Sequence, residues 1–369
     1  MVKKWLALYV AFIALGALAL CACGDLGSED QSDGWQLSTP EAQGFDSSLL
    51  SGLLDRIRIG DYGNVHSLLI VRHGCLVIDE YFRGYSRETL HPVYSVTKSV
   101  TSALVGIALE RGEISRIDQQ LLSFFPEYSA IANLDPRKRT ITLKDLLTMT
   151  AGFEWNESSV PYGDPRNPTY QLAESSDWMK FMLDRPITDE PGAKFRYNSG
   201  CSMLLSGILQ NVTGMSSQQY AERNLFQYLG IARTQWETGP RGISNTGWGL
   251  HMRPRDMAKL GFLYLRAGVW EQKRIISSDW IRQSVTSHVT VNRPLSYGFQ
   301  WWLLPIDTVT YNSAQPNEIQ FAWGWGDQFI FVVPAFDMVV VSTAGNFSPP
   351  DDQALIFLRE YIIRAVKSP

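Results

Sequence analysis

The sequence predicts an α/β fold in which strands from both ends of the chain build one lobe and the middle forms a helical insertion. Three observations carry this. β-rich runs cluster at residues 67–82 and again at 329–343. The stretch between them is dominated by helical periodicity. The chain has 369 residues, 45% hydrophobic and 19% charged, enough for two lobes and balanced like an ordinary globular protein. Sheet strands at both ends imply that the ends share one sheet.

Taken in order, the amino terminus comes first. Lys3 and Lys4 precede an uncharged apolar run, Trp5–Leu20, which is followed by Leu20-Cys21-Ala22-Cys23-Gly24. The run falls short of the ~20 residues that span a bilayer comfortably, which favours a cleaved signal over an uncleaved membrane anchor. The pattern resembles a bacterial lipoprotein signal, with Leu20 three residues before Cys23 and the small Ala22 just before it. It implies removal of residues 1–22 and lipidation of Cys23. Residues 23–37 then read as a flexible tether, polar and acidic over Gly24–Asp33. The expected location is the bacterial cell envelope, lipid-anchored at the periplasmic face of a membrane. Gly24 supplies no inner-membrane retention Asp, which favours the outer membrane. Loss of Lys3 and Lys4, with no acids removed, takes the formal net charge from −4 to −6. No basic excess exists to neutralise phosphates, so nucleic acid is not an expected partner. After lipidation Cys75 and Cys201 remain, enough for one disulfide but not a disulfide framework. His66, His73, His91, His251 and His288 are scattered and no cysteine pair has zinc spacing, so no metal is expected.

In the body, Asp46 or Ser47 caps a helix with Leu49, Leu50, Leu53, Leu54 and Ile57 on one face. Ser67–Arg72 and Cys75–Phe82 flank His73-Gly74 as a hairpin. Val96, Val100, Ala103, Leu104 and Ile107 follow with helical spacing, closed by Gly112. Thr142 caps a short helix, and residues 153–170, rich in Asn, Pro, Gly and Ser, read as a long loop. Helical patterns resume at Ser175–Leu183, Ser202–Val212 and Met257–Arg266. Phe329–Val333 and Met338–Thr343 form a second hairpin, and Asp351–Val366 is a terminal amphipathic helix. The α/β lobe would comprise about 38–95 plus 245–366, and the helical lobe about 96–244.

The sharpest chemical feature is Ser95-Val96-Thr97-Lys98. The serine sits where the helix begins, so free backbone N–H groups and the helix dipole favour a developing anion there. Lys98 lies one turn on, on the same face, and a desolvated lysine can take the serine proton. The plainer alternative is a capping serine followed by a solvated lysine. SxxK chemistry needs a second proton-handling group, and Tyr197-Asn198-Ser199 is the candidate: a tyrosine beside a cationic lysine can titrate low enough to exchange protons. Tyr62-Gly63-Asn64 and Tyr311-Asn312-Ser313 share the pattern, so the tripeptide alone does not select it. Gly324-Trp325-Gly326-Asp327-Gln328 precedes the Phe329 strand, and its glycines allow a substrate or another backbone to approach closely. No GxSxG, GxGxxG or GxxxxGK[ST] occurs, so neither a hydrolase elbow nor a phosphate cradle is present and no cofactor is expected.

With these three elements the chain resembles the serine beta-lactamase family, on the class C and carboxylesterase side. The surroundings agree: VYSVTKSVTSALVGIALERGEI, ITLKDLLTMTAGF, PGAKFRYNSGCSMLLSGIL and MRPRDMAKLGFLYL each look like a family segment. The Tyr-Asn-Ser-Gly and Gly-Trp-Gly-Asp-Gln variants are most similar to those of nylon-oligomer (aminohexanoate-dimer) hydrolases. The resemblance, over roughly 38–366, implies a beta-lactamase/transpeptidase-like fold, an antiparallel sheet flanked by helices with an all-helical insertion lobe. It implies that Ser95 is the acylated nucleophile, Lys98 its base, and Tyr197 the group that assists proton transfer to the leaving group. Ser199, Trp325, Gly326 and Asp327 would bind substrate, with the Ser95 N–H and that of Asp327 or Gln328 forming the oxyanion hole. Two departures stand out. The third motif lacks the lysine that holds a beta-lactam carboxylate, and Ser199 stands where many relatives have Asn. Both leave the acylation machinery intact. The expected function is therefore a serine hydrolase cleaving an ester, amide or peptide-like small molecule through an acyl-enzyme. Trp155, Trp301, Trp302, Trp323 and Trp325 suggest a substrate with an apolar part. A penicillin-binding DD-peptidase or beta-lactamase is the first alternative and a catalytically silent binding lipoprotein the second. No oligomeric state is implied.

Overall fold

The computed structural model describes residues 33–306, 318–348 and 352–367. The signal segment, Cys23 and residues 24–32 lie outside the described residues. Residues 33–37, expected to be part of a tether, belong to the folded body. The Trp35 ring is buried edge-on against Phe262 and Trp270, and Asp33 pairs with Arg255 at 3.0 Å.

Among the described residues the architecture centres on a nine-stranded sheet. Its strands are β1 (Gln36–Leu37), β2 (Val65–Arg72), β3 (Cys75–Tyr81), β4 (Val289–Asn292), β5 (Leu295–Tyr297), β6 (Trp302–Pro305), β7 (Glu318–Gly324), β8 (Gln328–Val333) and β9 (Met338–Ala344). The spatial order is β1-β3-β2-β9-β8-β7-β6-β5-β4, antiparallel except where β1 joins β3. Strand β9 from the end of the chain pairs with β2 from its beginning, Val340 opposite Ile70, which closes both ends into one sheet. Strands β2, β8 and β9 are buried along their whole length, because helices cover both faces.

One face carries α1 (Ser47–Ile59) and the carboxy-terminal helix. Leu50, Leu53 and Ile57 of α1 are its buried stripe, and Asp46 caps it by accepting from the Ser48 N–H. The other face carries α2 (Val96–Glu110) and α4 (Pro254–Leu265), with α3 (Ser199–Thr213) behind α2 in the helical lobe. Helix α2 is buried from Val96 to Ala108, as a helix between a sheet and a second layer must be. Gly261 lets α4 lie close on the sheet, since a β-carbon there would stand 2.6–2.7 Å from Val339 and Ile330.

Several expected boundaries move. The 153–170 loop leads into a helix at Pro168–Glu174, which Asn167 caps and Pro168 starts. The helix expected from Ser202 begins at Ser199, because Asn198 caps it by accepting from the Cys201 N–H. The terminal helix spans Gln353–Phe357 and continues as a π-helical turn at Leu358–Ile363. Strands β4 to β7 were not anticipated. Their alternation is broken by turn residues and by Pro305, which masks the period-two pattern. Cys201 is a free thiol buried in α3, so it does not pair with Cys75.

Candidate active site

Ser95 lies at the junction between the short strand His91–Pro92 and α2. The turn is tight: Tyr94, with φ 45°, occupies the left-handed region that few side chains tolerate. The Ser95 hydroxyl does not cap its helix. It faces Lys98, whose Nζ stands 2.8 Å from Ser95 Oγ. This rejects the plainer alternative of a capping serine beside a solvated lysine, since Lys98 is 1% exposed. Its Nζ also meets the Gly247 carbonyl at 2.7 Å and Ser199 Oγ at 3.0 Å. Burial pulls its pKa down to about 8, opposed by the negative charge of Glu157.

Tyr197 stands just before α3. Lys98 Nζ lies 4.9 Å from its ring centroid. Trp302 stacks on the other side at 5.5 Å. The expectation that this tyrosine titrates low is corrected here. Burial and the nearby Glu157 raise its pKa well above the ordinary value, so it holds its proton.

Ser199, expected to bind substrate, lies against Lys98, and its principal partner was not foreseen. Glu157, buried in the 153–170 loop, accepts from Ser199 Oγ at 2.8 Å and from the Ser199 N–H at 2.7 Å. It also accepts from Trp155 Nε1 at 2.6 Å and from the Tyr162 hydroxyl at 3.2 Å. Nothing in the local pattern marks Glu157, one of three acids in a polar loop with Glu154 and Asp164, and its meaning emerges only when that loop folds over α3. Its carbonyl and that of Val160 accept from Asn167 Nδ2 at 3.1 and 2.7 Å, which holds the loop in place.

The third motif is shifted relative to its expected register. Strand β7 runs through Gly324, and a β-carbon at that glycine would stand 2.2 Å from the Val93 carbonyl and 3.2 Å from the Ser95 nitrogen. The glycine beside the nucleophile is therefore Gly324 rather than Gly326. Gly326 and Asp327, with φ values of 78° and 71° in the left-handed region, belong to the turn joining β7 to β8 and lie beyond Gly324. Gly326 faces Phe347. The Asp327 carboxylate accepts from Asn346 Nδ2 at 2.7 Å and from the Gln353 N–H at 3.2 Å, so this side chain ties down the carboxy-terminal segment. Gln328 is likewise committed, its amide donating to the Ala344 carbonyl and accepting from the Ala344 N–H. Trp325 lines the pocket beside Ser95, edge-on to Tyr94 and Tyr162.

That pocket has a volume of about 230 Å³, and Ser95 and Ser199 open into it. Its walls include Tyr94, Tyr162, Tyr170, Trp248 and Trp325, and among the described residues no Lys, Arg, Asp or Glu lines it. Of the tryptophans singled out earlier, Trp325 alone is a wall. Trp155 serves Glu157, Trp302 backs Tyr197, Trp301 is buried beneath the site and Trp323 stacks on Phe329.

A buried lysine against a serine at a helix start, beside the end of an interior strand and under a helical lobe, defines the beta-lactamase/transpeptidase-like class. Residues 65–360 match the family model described as Beta-lactamase, and the chain belongs to that family. It is 24% identical over 255 residues to the 6-aminohexanoate-dimer hydrolase of Paenarthrobacter ureafaciens, an alignment covering 63% of each chain, so it spans less than two thirds of that relative's length. The structure of a putative 6-aminohexanoate-dimer hydrolase from Bacillus anthracis superposes with a TM-score of 0.70 at 23% identity, over 86% of this chain and 81% of that one. The hydrolase EstCE1, with promiscuous acyltransferase activity, superposes with a TM-score of 0.69 at 18% identity, over 87% and 98%.

Proposed function

We propose that the protein is a serine hydrolase that cleaves an ester or amide of an uncharged, partly apolar acyl group through an acyl-enzyme on Ser95. The observation that carries this is the buried Lys98 amine 2.8 Å from Ser95 Oγ, with its pKa pulled down to about 8. An amine in that state is neutral in a useful fraction of molecules near neutral pH, and it faces the proton it must remove.

In acylation the Ser95 proton passes to Lys98 Nζ, and the electron pair left on Oγ forms the bond to the acyl carbon. The carbonyl oxygen gains the charge. The Ser95 N–H at the helix start and the Trp325 N–H, which directly follows Gly324, are the donors best situated to receive it. The bond to the leaving oxygen or nitrogen then breaks. Tyr197, which holds its proton, donates it to that atom, and the Lys98 ammonium restores the phenol. Deacylation runs these transfers in reverse with water in place of the leaving group: Tyr197 passes its proton to Lys98 and takes one from the attacking water, and the Lys98 ammonium returns a proton to Ser95 Oγ as the acyl bond breaks. A pocket with aromatic walls and, among the described residues, no charged side chain favours a neutral acyl group over one bearing a carboxylate.

The test is a fluorophosphonate probe followed by turnover of short acyl esters, aminohexanoate-type amides, D-amino-acid amides and a chromogenic cephalosporin. Labelling at Ser95, absent in Ser95→Ala, with ester or amide turnover is expected. No labelling and no turnover across the panel overturns the reading, and a long-lived penicillin adduct with no turnover replaces it with a penicillin-binding one.

A further inference from the structure

We propose that Glu157 is a positioning residue that aims the Lys98 lone pair at Ser95 by fixing the direction of the Ser199 hydroxyl. The inference rests on the reading of Lys98 as the base. The argument is one of donors and acceptors. Ser199 Oγ has one proton and two lone pairs. Glu157 Oε1 lies 2.8 Å away and takes that proton, leaving Ser199 able only to accept from Lys98 Nζ at 3.0 Å. The Gly247 carbonyl, 2.7 Å from the same Nζ, can also only accept. A neutral lysine has two N–H groups and one lone pair. With both N–H groups drawn to Ser199 and Gly247, the lone pair is left for the third neighbour, Ser95 Oγ, at 2.8 Å. The amine is thus oriented before any substrate binds.

The same geometry says what an isosteric amide would do. Glu157 Oε2 receives the Ser199 N–H at 2.7 Å and the Trp155 indole N–H at 2.6 Å, and both groups can only donate. In Glu157→Gln the amide oxygen must therefore occupy the Oε2 position, which puts the NH2 group where Oε1 was. That NH2 donates to Ser199 Oγ and releases the Ser199 proton toward Lys98, where it competes with Ser95 for the lone pair. Glu157 is also the charged group that faces Lys98, and Tyr197, the other titratable neighbour, stays protonated. Removing the charge leaves burial unopposed, so Lys98 loses its proton at lower pH.

The experiment measures kcat, KM and the pH profile of kcat/KM on a short acyl ester for Glu157→Gln, Ser199→Ala and the double variant, with Tm as a check on folding. Glu157→Gln is expected to lower kcat about 10- to 100-fold with KM within about twofold. The acid limb of its profile should move to lower pH, a change that a merely structural role would not produce. In the Ser199→Ala background the same substitution should lower kcat by less than about threefold, because its mediator is gone. A wild-type profile in Glu157→Gln overturns the proposal, as does an equal loss in both backgrounds. If Glu157→Gln does not fold, Ser199→Ala decides alone: a loss of tenfold or more in kcat supports the proposal and wild-type kcat overturns it. Activity surviving in Ser95→Ala would instead remove the reading beneath it.

Discussion

At the scale of single residues, the chemistry depends on a lysine kept poor in protons by burial. Lys98 acts as a base only when neutral, and the fraction neutral rises through pH 8. The expected kcat/KM therefore climbs about tenfold per pH unit below 8 and levels off above it, read from initial rates between pH 5.5 and 9.5. Lys98→Met, which fills the same volume without a titrating group, should lower kcat/KM by about 100- to 10,000-fold while Tm holds or rises, because no amine is then buried. Tyr197→Phe should slow leaving-group departure for amides more than for activated esters, which need less protonation. Ser95 and Lys98 were legible in the sequence, since both sit on one helical turn and spacing alone brings them together. Tyr197 was visible only as one of three similar tripeptides. Glu157 was not legible, because its role exists only across a contact 42 residues from Ser199.

At the scale of elements, the nucleophile's position is set by what lies against it. Gly324 at the end of β7 leaves no room for a side chain beside Val93 and Ser95. Gly324→Ala is expected to displace the start of α2, costing about 1–3 kcal/mol in stability and more than tenfold in kcat/KM; thermal denaturation and initial rates check both. Sequence reading placed a glycine here but chose Gly326, because the strand boundary at residue 324 is fixed by pairing across the sheet rather than by local pattern.

The strand leading into Ser95 carries a second constraint. His91 Nδ1 donates to the Pro92 carbonyl at 3.0 Å, so in neutral His91 the Nε2 accepts from His66 Nδ1 at 2.7 Å, a contact that two protonated rings could not make. Tyr85 stacks on His66 at 3.8 Å, and burial lowers the His66 pKa from 6.5 to about 4. The groups around the pair, Arg83 and His251, also disfavour added charge. Between pH 6.5 and 4 the unfolded chain binds more protons here than the folded one, so stability falls as pH drops through that window. Chemical denaturation at pH 7 and 4.5 should record the loss, and His66→Gln should reduce it.

At the scale of the whole molecule, the sheet joins both ends of the chain, and that much followed from strands at 67–82 and 329–343. The middle strands did not, and neither did the point at which the folded body starts. Trp35 is 2% exposed, so Trp35→Ala should destabilise by about 3–5 kcal/mol, measured by denaturant titration. An anchor at Cys23 would then be separated by nine residues, 24–32, from the body that begins at Asp33, which would keep the site near a membrane surface. Incorporation of labelled palmitate, lost in Cys23→Ser, is the expected result.

The proton-handling groups stand on α2, on α3 and just before α3, whereas the pocket walls come from Tyr94, the 162–173 segment, Trp248 and Trp325. Reactivity and selectivity are therefore only partly shared along the chain, Ser95, Ser199 and Trp325 serving both. Libraries confined to Tyr170, Ala173 and Trp248 should change which acyl groups are accepted while the chemical step keeps its speed, which makes this scaffold a favourable starting point for retargeting by directed evolution.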